Sequence, residues 1–455
     1  MKSMVQSLLK KHAVECDYLE IRIEESASTS IAFRGANLDT LWEAEELGGC
    51  VRALYKGSWG FVTFNDLDAL AARVNDAIVQ ARLIGKGTSA MAPAPVVKDM
   101  VEPRLKRDPR AVPLSEKIEI LRRYNQLILS ADPRIPTSSV SYGDSFRKIL
   151  FCNSDGSVIE QERRDLGCNL VAIAVDKGQT QMDMVGCGGS DDFDVLLGHE
   201  DELMAACQRA VYLLDAPPVK GGTYTVVANQ AMAGTFVHEA FGHTSEGEKV
   251  YENERLQEIM KIGKAFGSSI LSIYDTGLAE GSRGAIVYDE EGVRAGRTDL
   301  IKDGILVGRL HTRETAGKLG EPVTGSARAV SYKYPPIPRM RVTCIARGES
   351  SFADMIKDVK LGVYACDAMG GQGGEMFTFT AGRGYMIRDG RIEEMVKGVT
   401  LSGNLFVTLK NIDMVGNDFT IHEAGGGCGK GEQFPLPVAM GAPHIRIRDV
   451  VIGGQ

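Results

Sequence analysis

The sequence predicts an α+β protein in two parts. Residues 1–219 read as an N-terminal two-layer α/β domain with antiparallel meanders, and residues 220–455 as a Gly-rich, mostly β C-terminal domain carrying a metal-site helix. Three observations point there. Apolar–polar alternation followed by helical periodicity occurs twice in the first half. A Pro/Gly cluster, Ala216-Pro217-Pro218-Val219-Lys220-Gly221-Gly222, then interrupts the chain just before a new strand pattern. Beyond it lie the densest glycine clusters, 370–374 and 425–431, in a chain with 52 glycines in 455 residues, against a usual share of about 7%. The length agrees with two parts, since single cores stop growing near about 250–300 residues.

In chain order, residues 1–11 have amphipathic helical spacing, with Lys2, Lys10 and Lys11 among the polar positions. Residues 18–64 alternate in runs broken by Gly35, Gly48-Gly49 and Gly57, the pattern of an antiparallel meander. Helical spacing follows over 67–83, then a connector rich in Pro and charge over 92–113, then a second helical stretch over 115–131. Residues 138–184 return to strands, with a turn at Asn153-Ser154-Asp155-Gly156, and 193–214 is helical again. The recurrence suggests a duplicated unit, although no residue-level repeat accompanies it. In the second half a strand is expected over 223–228, helices after Gln230, over 351–359 and over 405–412, and strands with tight turns elsewhere.

Composition narrows the function. Apolar residues at 44% and charged residues at 25% describe an ordinary folded chain. A net charge of -8 gives no global positive field for phosphates, so nucleic acid is not an expected partner, and the basic run Arg104 to Arg110 reads as a solvated loop. Nine cysteines, an odd number without any C-x-x-C spacing, suit a reducing compartment. No apolar run approaches about 18 residues, so no membrane span is expected. The N-terminal segment lacks the apolar core and cleavage site of a leader, and the cytoplasm follows as the expected location.

The strongest chemical signal is Thr235-Phe236-Val237-His238-Glu239-Ala240-Phe241-Gly242-His243, placed after the expected strand 223–228 and the candidate helix cap Asn229. Zinc peptidases commonly space two helical histidines four residues apart, on one face. Here the spacing is five, which on an ideal α-helix sets the rings about 140° apart. A single π-type turn restores the register, and Gly242 before the second histidine is expected to ease that distortion. His238 and His243 then fit zinc ligands, since a catalytic zinc takes three protein ligands and keeps one position open. Glu239, beside the first histidine, would act as general base, taking the proton of the attacking water and passing it to the leaving amine. The plain alternative makes the histidines ordinary helix residues, one in the core and one at the surface. The adjacent glutamate and the strand-then-helix context favour the metal. Cys428, in the glycine run 425–431, is the best third ligand by chemistry, with His422, Glu246 and Glu248 in competition. His12, His199, His311 and His444 have no companions and read as structural or surface groups. Tyr385 and Lys430 are candidates for polar assistance.

These residues resemble the TldD/PmbA family, long described as modulators of DNA gyrase and understood as metallopeptidases. His238-Glu239-Ala240-Phe241-Gly242-His243 is similar to its H-E-A-x-G-H pattern, Pro336-Ile337-Pro338-Arg339-Met340 to a P-x-P-R-M segment, and Cys428-Gly429-Lys430 with Gln433 to a C-G-K-x-x-Q stretch. The resemblance implies zinc held by His238, His243 and Cys428 with Glu239 as base. It implies unfolded or extended peptides as substrate, and a dimer enclosing a cavity. Such a dimer would be a homodimer or a heterodimer with a PmbA/TldE-like partner that lacks the motif. One departure follows Met340, where the family's short polar run containing Asn is replaced by Arg341-Val342-Thr343-Cys344, so the resemblance does not fix the substrate preference. The competing class is a non-catalytic regulatory or binding subunit of a TldD/PmbA-type complex. Its mark is loss of a ligand or of the glutamate, and this chain keeps all four residues.

Overall fold

A computed structural model describes residues 1–102, 105–423 and 425–453. Arg104 of the basic run and Ala424, just before the glycine run, lie outside the described residues. The first half contains α1 (Lys2–His12), β1 (Tyr18–Arg34), β2 (Asn37–Tyr55), β3 (Ser58–Phe64), α2 (Leu70–Ile84), β4 (Lys98–Val101), α3 (Leu114–Ala131), β5 (Thr137–Asn153), β6 (Val158–Asp176), β7 (Gln179–Gly189) and α4 (Glu200–Asp215). Both rounds of the pattern join one seven-stranded sheet, because β1 pairs antiparallel with β5 from Glu20 opposite Asn153 to Arg34 opposite Ser139. Strands β2 and β3 extend the sheet on one side, and β6 with β7 and the parallel β4 on the other.

Strand alternation decides what the sheet covers. Odd positions of β1 face the helices: Leu19, Ile21 and Ile23 join a cluster with Val5, Val74 and Ile78, while Ile31 and Phe33 join a second with Leu121, Tyr124 and Leu203. The even positions are polar, running Glu20, Arg22, Glu24, Ser26, Ser28, Ser30. Near the start of the strand they are buried against the second half. Arg52 bridges Glu20 and Glu291 at 2.8 and 3.1 Å, and Arg22 donates to the Ser331 and Tyr334 carbonyls.

The second half begins with β8 (Gly222–Ala228), α5 (Gln230–Phe236), α6 (Gly247–Tyr251) and α7 (Glu254–Ile259). It continues with β9 (Ile273–Thr276), β10 (Arg297–Lys302), β11 (Ile305–Leu306), α8 (Arg313–Leu319), β12 (Ala327–Arg328), β13 (Ile337–Pro338), β14 (Val342–Ile345), α9 (Phe352–Ile356), β15 (Leu361–Gln372) and β16 (Met376–Arg388). It closes with β17 (Arg391–Val396), β18 (Thr400–Asn404), α10 (Leu405–Lys410), β19 (Ile412–Val415), β20 (Thr420–His422), β21 (Cys428–Lys430), β22 (Gln433–Leu436), β23 (Ala439–Ala442) and β24 (Ile445–Gly453). The order β15-β8-β24-β18-β16 closes on itself through β15–β16 pairing, giving a barrel beside a six-stranded sheet ordered β11-β10-β9-β14-β23-β20. The chain is α+β with predominantly antiparallel sheets, as the sequence predicts. No helix among the described residues is long and apolar enough to cross a membrane.

Several local expectations are corrected. Gly48 and Gly49 do not break a strand but lie inside β2, opposite Glu24 and Ile23. The helix expected over 193–214 splits into a 3-10 turn, Phe193–Leu196, and α4. Helices α6, α7 and α8 interrupt a stretch read as strands and turns, since five to seven residues are too short to declare a helical period.

Candidate metal centre

Strand β8 leads straight into the histidine motif. The Asn229 side chain accepts from the Met232 N–H at 2.9 Å, capping α5, and is itself held by Asp367 at 2.9 Å. That cap fixes the rotational phase of everything that follows. After Phe236 the winding loosens into a π-helix, Val237–Gly242, in which the His243 N–H donates to the His238 carbonyl five residues back. The π-type turn expected from the five-residue spacing is present. It sets the two rings on the same side, 5.5 Å apart and 80° to one another.

Gly242 serves a different purpose from the one expected. Its φ of -55° and ψ of -54° are ordinary helical values, so no special backbone freedom is used. A Cβ at Gly242 would sit 2.0 Å from Met340 Sδ, so the missing side chain makes room for that fully buried methionine. Gly373 does the same on the other flank, where a Cβ would meet the Glu239 carbonyl oxygen at 1.9 Å.

Cys428 opens β21 and points back at the motif from 185 residues away, with Sγ 3.2 Å from His243 Nε2. One donor atom each from His238, His243 and Cys428 lies within 4.8 Å of the other two. His238 and Cys428 are almost fully buried, and one ring nitrogen of His238, Nδ1, has no hydrogen-bond partner among the described residues. The second nitrogen of His243 meets the fully buried Glu246 carboxylate at 3.2 Å, which orients the ring with Nε2 toward Cys428. Lys430 approaches Glu246 at 3.1 Å, pairs with Glu248 and donates to the Pro338 carbonyl at 2.7 Å. Glu239 is the member that reaches solvent. Its carboxylate is 34% exposed and lies 3.8 Å from His243 Nε2.

The charges agree with the geometry. Burial pushes the Cys428 thiol up, but the two imidazoles beside it win and hold it well below the ordinary thiol range. Burial pushes His243 down, and the Cys428 sulfur and Glu246 overcome it in the opposite sense. Two imidazoles and a readily ionised thiol are a donor set that suits a borderline-soft divalent cation.

The other sequence candidates fall elsewhere. His422 faces Thr420 on β20 at 3.3 Å, and Glu246 and Glu248 are engaged by His243 and Lys430. His311 and His444 are tied to Glu321 and Asp418 at 2.9 and 2.6 Å. Tyr385 stacks on Tyr364 and packs with Leu213 and Met395, away from the donor set. Sequence reasoning missed Arg339, whose Nη2 donates to the Cys428 carbonyl at 2.8 Å. Its place in Pro336-Ile337-Pro338-Arg339-Met340 was the available signal.

Three family models cover most of the chain: PmbA/TldA metallopeptidase domain 1 over residues 19–81, the central domain over 107–215 and the C-terminal domain over 221–454. The chain belongs to this family. Among PmbA/TldA relatives, a metalloprotease of Synechocystis sp. is 43% identical over all of this chain and 98% of its own length. A zinc metalloprotease TldD homolog of Saccharolobus solfataricus is 30% identical over 74% of this chain and 76% of its own. These relatives support a metallopeptidase-type function. TldE from Thermococcus kodakarensis shares the fold, with TM-score 0.78 at 18% identity and 99% coverage of both chains. So does a proposed modulator of a DNA gyrase from Thermotoga maritima, with TM-score 0.79 at 20% identity and the same coverage. The departure from the family pattern after Met340 is internal. Arg341 is fully buried, with Nε 2.6 Å from Asp275, and Thr343 donates to the same carboxylate at 3.1 Å. Both side chains are thus part of the internal packing.

Proposed function

We propose that this chain is a zinc-dependent peptidase acting on unfolded or extended peptides, with His238, His243 and Cys428 as zinc ligands and Glu239 as general base. The observation that carries the proposal is the convergence of three donor atoms from two distant segments within 4.8 Å. The unpartnered His238 nitrogen supports it, because a buried polar atom left unsatisfied costs about 1–3 kcal/mol unless a non-protein partner serves the side chain. Zinc bound there would supply Lewis acidity, polarising the scissile carbonyl and bringing the acidity of water to about pH 7. Glu239 accepts the proton of the attacking water and delivers it to the departing amine nitrogen, a role that needs the partial exposure it has. Glu246 holds His243 in position, and Arg339 holds the backbone of Cys428.

Residues 220–455 form the catalytic part in this reading, and residues 1–219 supply the sheet that walls it. The fold shared with TldE is compatible with a dimer, either of two copies or with a PmbA/TldE-like partner. A cysteine ligand must stay reduced, which suits the cytoplasm. The test is metal analysis combined with mass-spectrometric digestion of a denatured protein. One zinc per chain is expected, with cleavage abolished by chelation and by Glu239→Gln while that variant keeps its metal. Cleavage that persists unchanged after chelation, or in Glu239→Gln, overturns the mechanism. Bound metal with no cleavage of any unfolded protein favours the regulatory-subunit reading.

A further inference from the structure

The polar face of β1 and the second half enclose a groove of about 590 Å³. Ser26, Ser28 and Ser30 line one wall, and Gly425, Gly426 and Phe434 the other, close to the loop that carries Cys428. Both signs of charge line it, and nearly all are matched. Glu24 meets Arg147 at 2.6 Å, Glu46 meets Lys333 at 2.6 Å, Asp144 meets Lys117 at 2.6 Å and Asp165 meets Arg283 at 2.7 Å. Arg163 meets Glu290 at 2.6 Å, and Arg164 meets Glu162 and Asp108 at 3.2 and 3.3 Å.

Arg328 is the exception among the described residues. It is 3% exposed, lines the groove, and has no carboxylate within ion-pair distance. Its Nη1 donates to the Met340 carbonyl at 2.6 Å, while Nε, like that of Arg163 and Arg164, is buried without a partner among the described residues. Glu290 and Asp275, the carboxylates whose fields reach it, are engaged by Arg163 and Arg147 and by Arg341 respectively. Burial accordingly pushes this guanidinium down to about 9. An unmatched buried guanidinium is costly, and a planar carboxylate is the group that satisfies its fork of donors.

We propose that Arg328 is a specificity residue that receives a carboxylate of the bound peptide, supplied either by the free C-terminus or by an Asp or Glu side chain. The inference rests on the peptidase reading. Arg328 is one residue removed from the metal motif, since it bonds the carbonyl of the methionine that packs against Gly242. Anchoring a peptide there fixes its register beside the donor set without a side-chain pocket for every residue.

The test measures binding to full-length Glu239→Gln protein by fluorescence polarisation, using three labelled 12-residue peptides rich in Ala, Ser and Thr. One has a free C-terminus, one is C-terminally amidated, and one is amidated with a single internal Glu. A carboxylate bonded to a guanidinium is worth about tenfold or more in affinity. The free-acid peptide is expected to bind about tenfold tighter than the amide if the C-terminus is the source, and the Glu peptide to recover that gain if the side chain serves. In a background carrying Arg328→Met the preference should vanish, and in Arg328→Lys part of it should remain. Equal binding of all three peptides, or no binding of any, overturns the inference. So does a preference that survives in a folded Arg328→Met protein. Because the peptide comparison needs no change at Arg328, a variant that fails to fold does not spoil it. Cleavage by the unmutated enzyme without carboxylate preference sinks this inference alone, whereas carboxylate-dependent binding without zinc-dependent cleavage sinks the peptidase reading.

Discussion

Glu423 lies two residues before the glycine run that delivers Cys428, and its protonation should be visible in stability. Its Oε1 accepts from the Ser282 hydroxyl at 2.5 Å and its Oε2 from the Arg283 N–H at 3.3 Å. Burial outweighs both bonds and lifts the carboxyl from 4.5 to about 7, with the nearby Asp165 adding to the rise. A carboxyl with a raised folded value binds its proton more tightly in the native state. Native stability therefore falls as pH rises from about 4.5 to about 7 and stays lowered above that. Each unit is worth about 1.36 kcal/mol, so the gap amounts to about 3 kcal/mol, and partial exposure trims it to about 2. Glu423→Gln keeps an oxygen for Ser282 and removes the ionisation. Any lost bond to the Arg283 N–H shifts the variant equally at every pH, so the diagnostic is how the difference between the two proteins changes. Urea unfolding of chelator-treated proteins at pH 5 and pH 8 should show the variant gaining about 2 kcal/mol on the wild type between the two. A difference that is the same at both values refutes the reasoning.

Three further outcomes follow from contacts around the site. Glu246→Gln removes the carboxylate that orients His243 and should weaken zinc binding by about 10- to 100-fold in competition with a chromophoric chelator; unchanged affinity would show that the ring needs no such partner. Gly373→Ala places a Cβ 1.9 Å from the Glu239 carbonyl oxygen, and on the proposed role of Glu239 its displacement by about 1 Å should cost on the order of 100-fold in peptide cleavage while circular dichroism stays native. Asp275→Ala strands the fully buried Arg341, and the urea midpoint should fall by an amount equivalent to about 3–5 kcal/mol.

What the sequence revealed, and what it hid, divides along the range of the interactions. The π-type turn was legible because a five-residue spacing leaves few ways for two helical histidines to share a cation. The reason for Gly242 was not, since the atom that needs its space belongs to Met340, remote in sequence. Helix α8 left local marks, a Thr312–Thr315 capping box and a left-handed Gly320 with φ of 66°, yet its seven residues are too few for periodicity to declare it. The barrel was hidden more deeply. Its pairing of β8 with β24, from Ile445 opposite Ala228 to Ile452 opposite Gly222, is specified only when both strands exist. Alternation in β1 separated two faces, but nothing local tells that the polar one is covered by the second half.

One extended segment accounts for how distant pieces of the site stay in register. The Pro338 carbonyl receives Lys430, Arg339 holds the Cys428 carbonyl, Met340 wedges against Gly242, and Arg341 is locked to Asp275. Residues 338–341 thus touch the thiol loop and the π-turn from successive positions, and the buried ion pair of Arg341 anchors them to the six-stranded sheet. The five-residue histidine spacing would be a liability on an isolated helix, because a π-turn is readily lost to ordinary α winding. Filling the space beside Gly242 with Met340 and packing Gly373 against the Glu239 backbone brace that turn from two sides. Tightening it into α geometry would rotate His243 away and drag the flanking backbone off both contacts. The core therefore opposes the same distortion that would scatter the donor atoms, which ties the chemistry of the site to the packing beneath it.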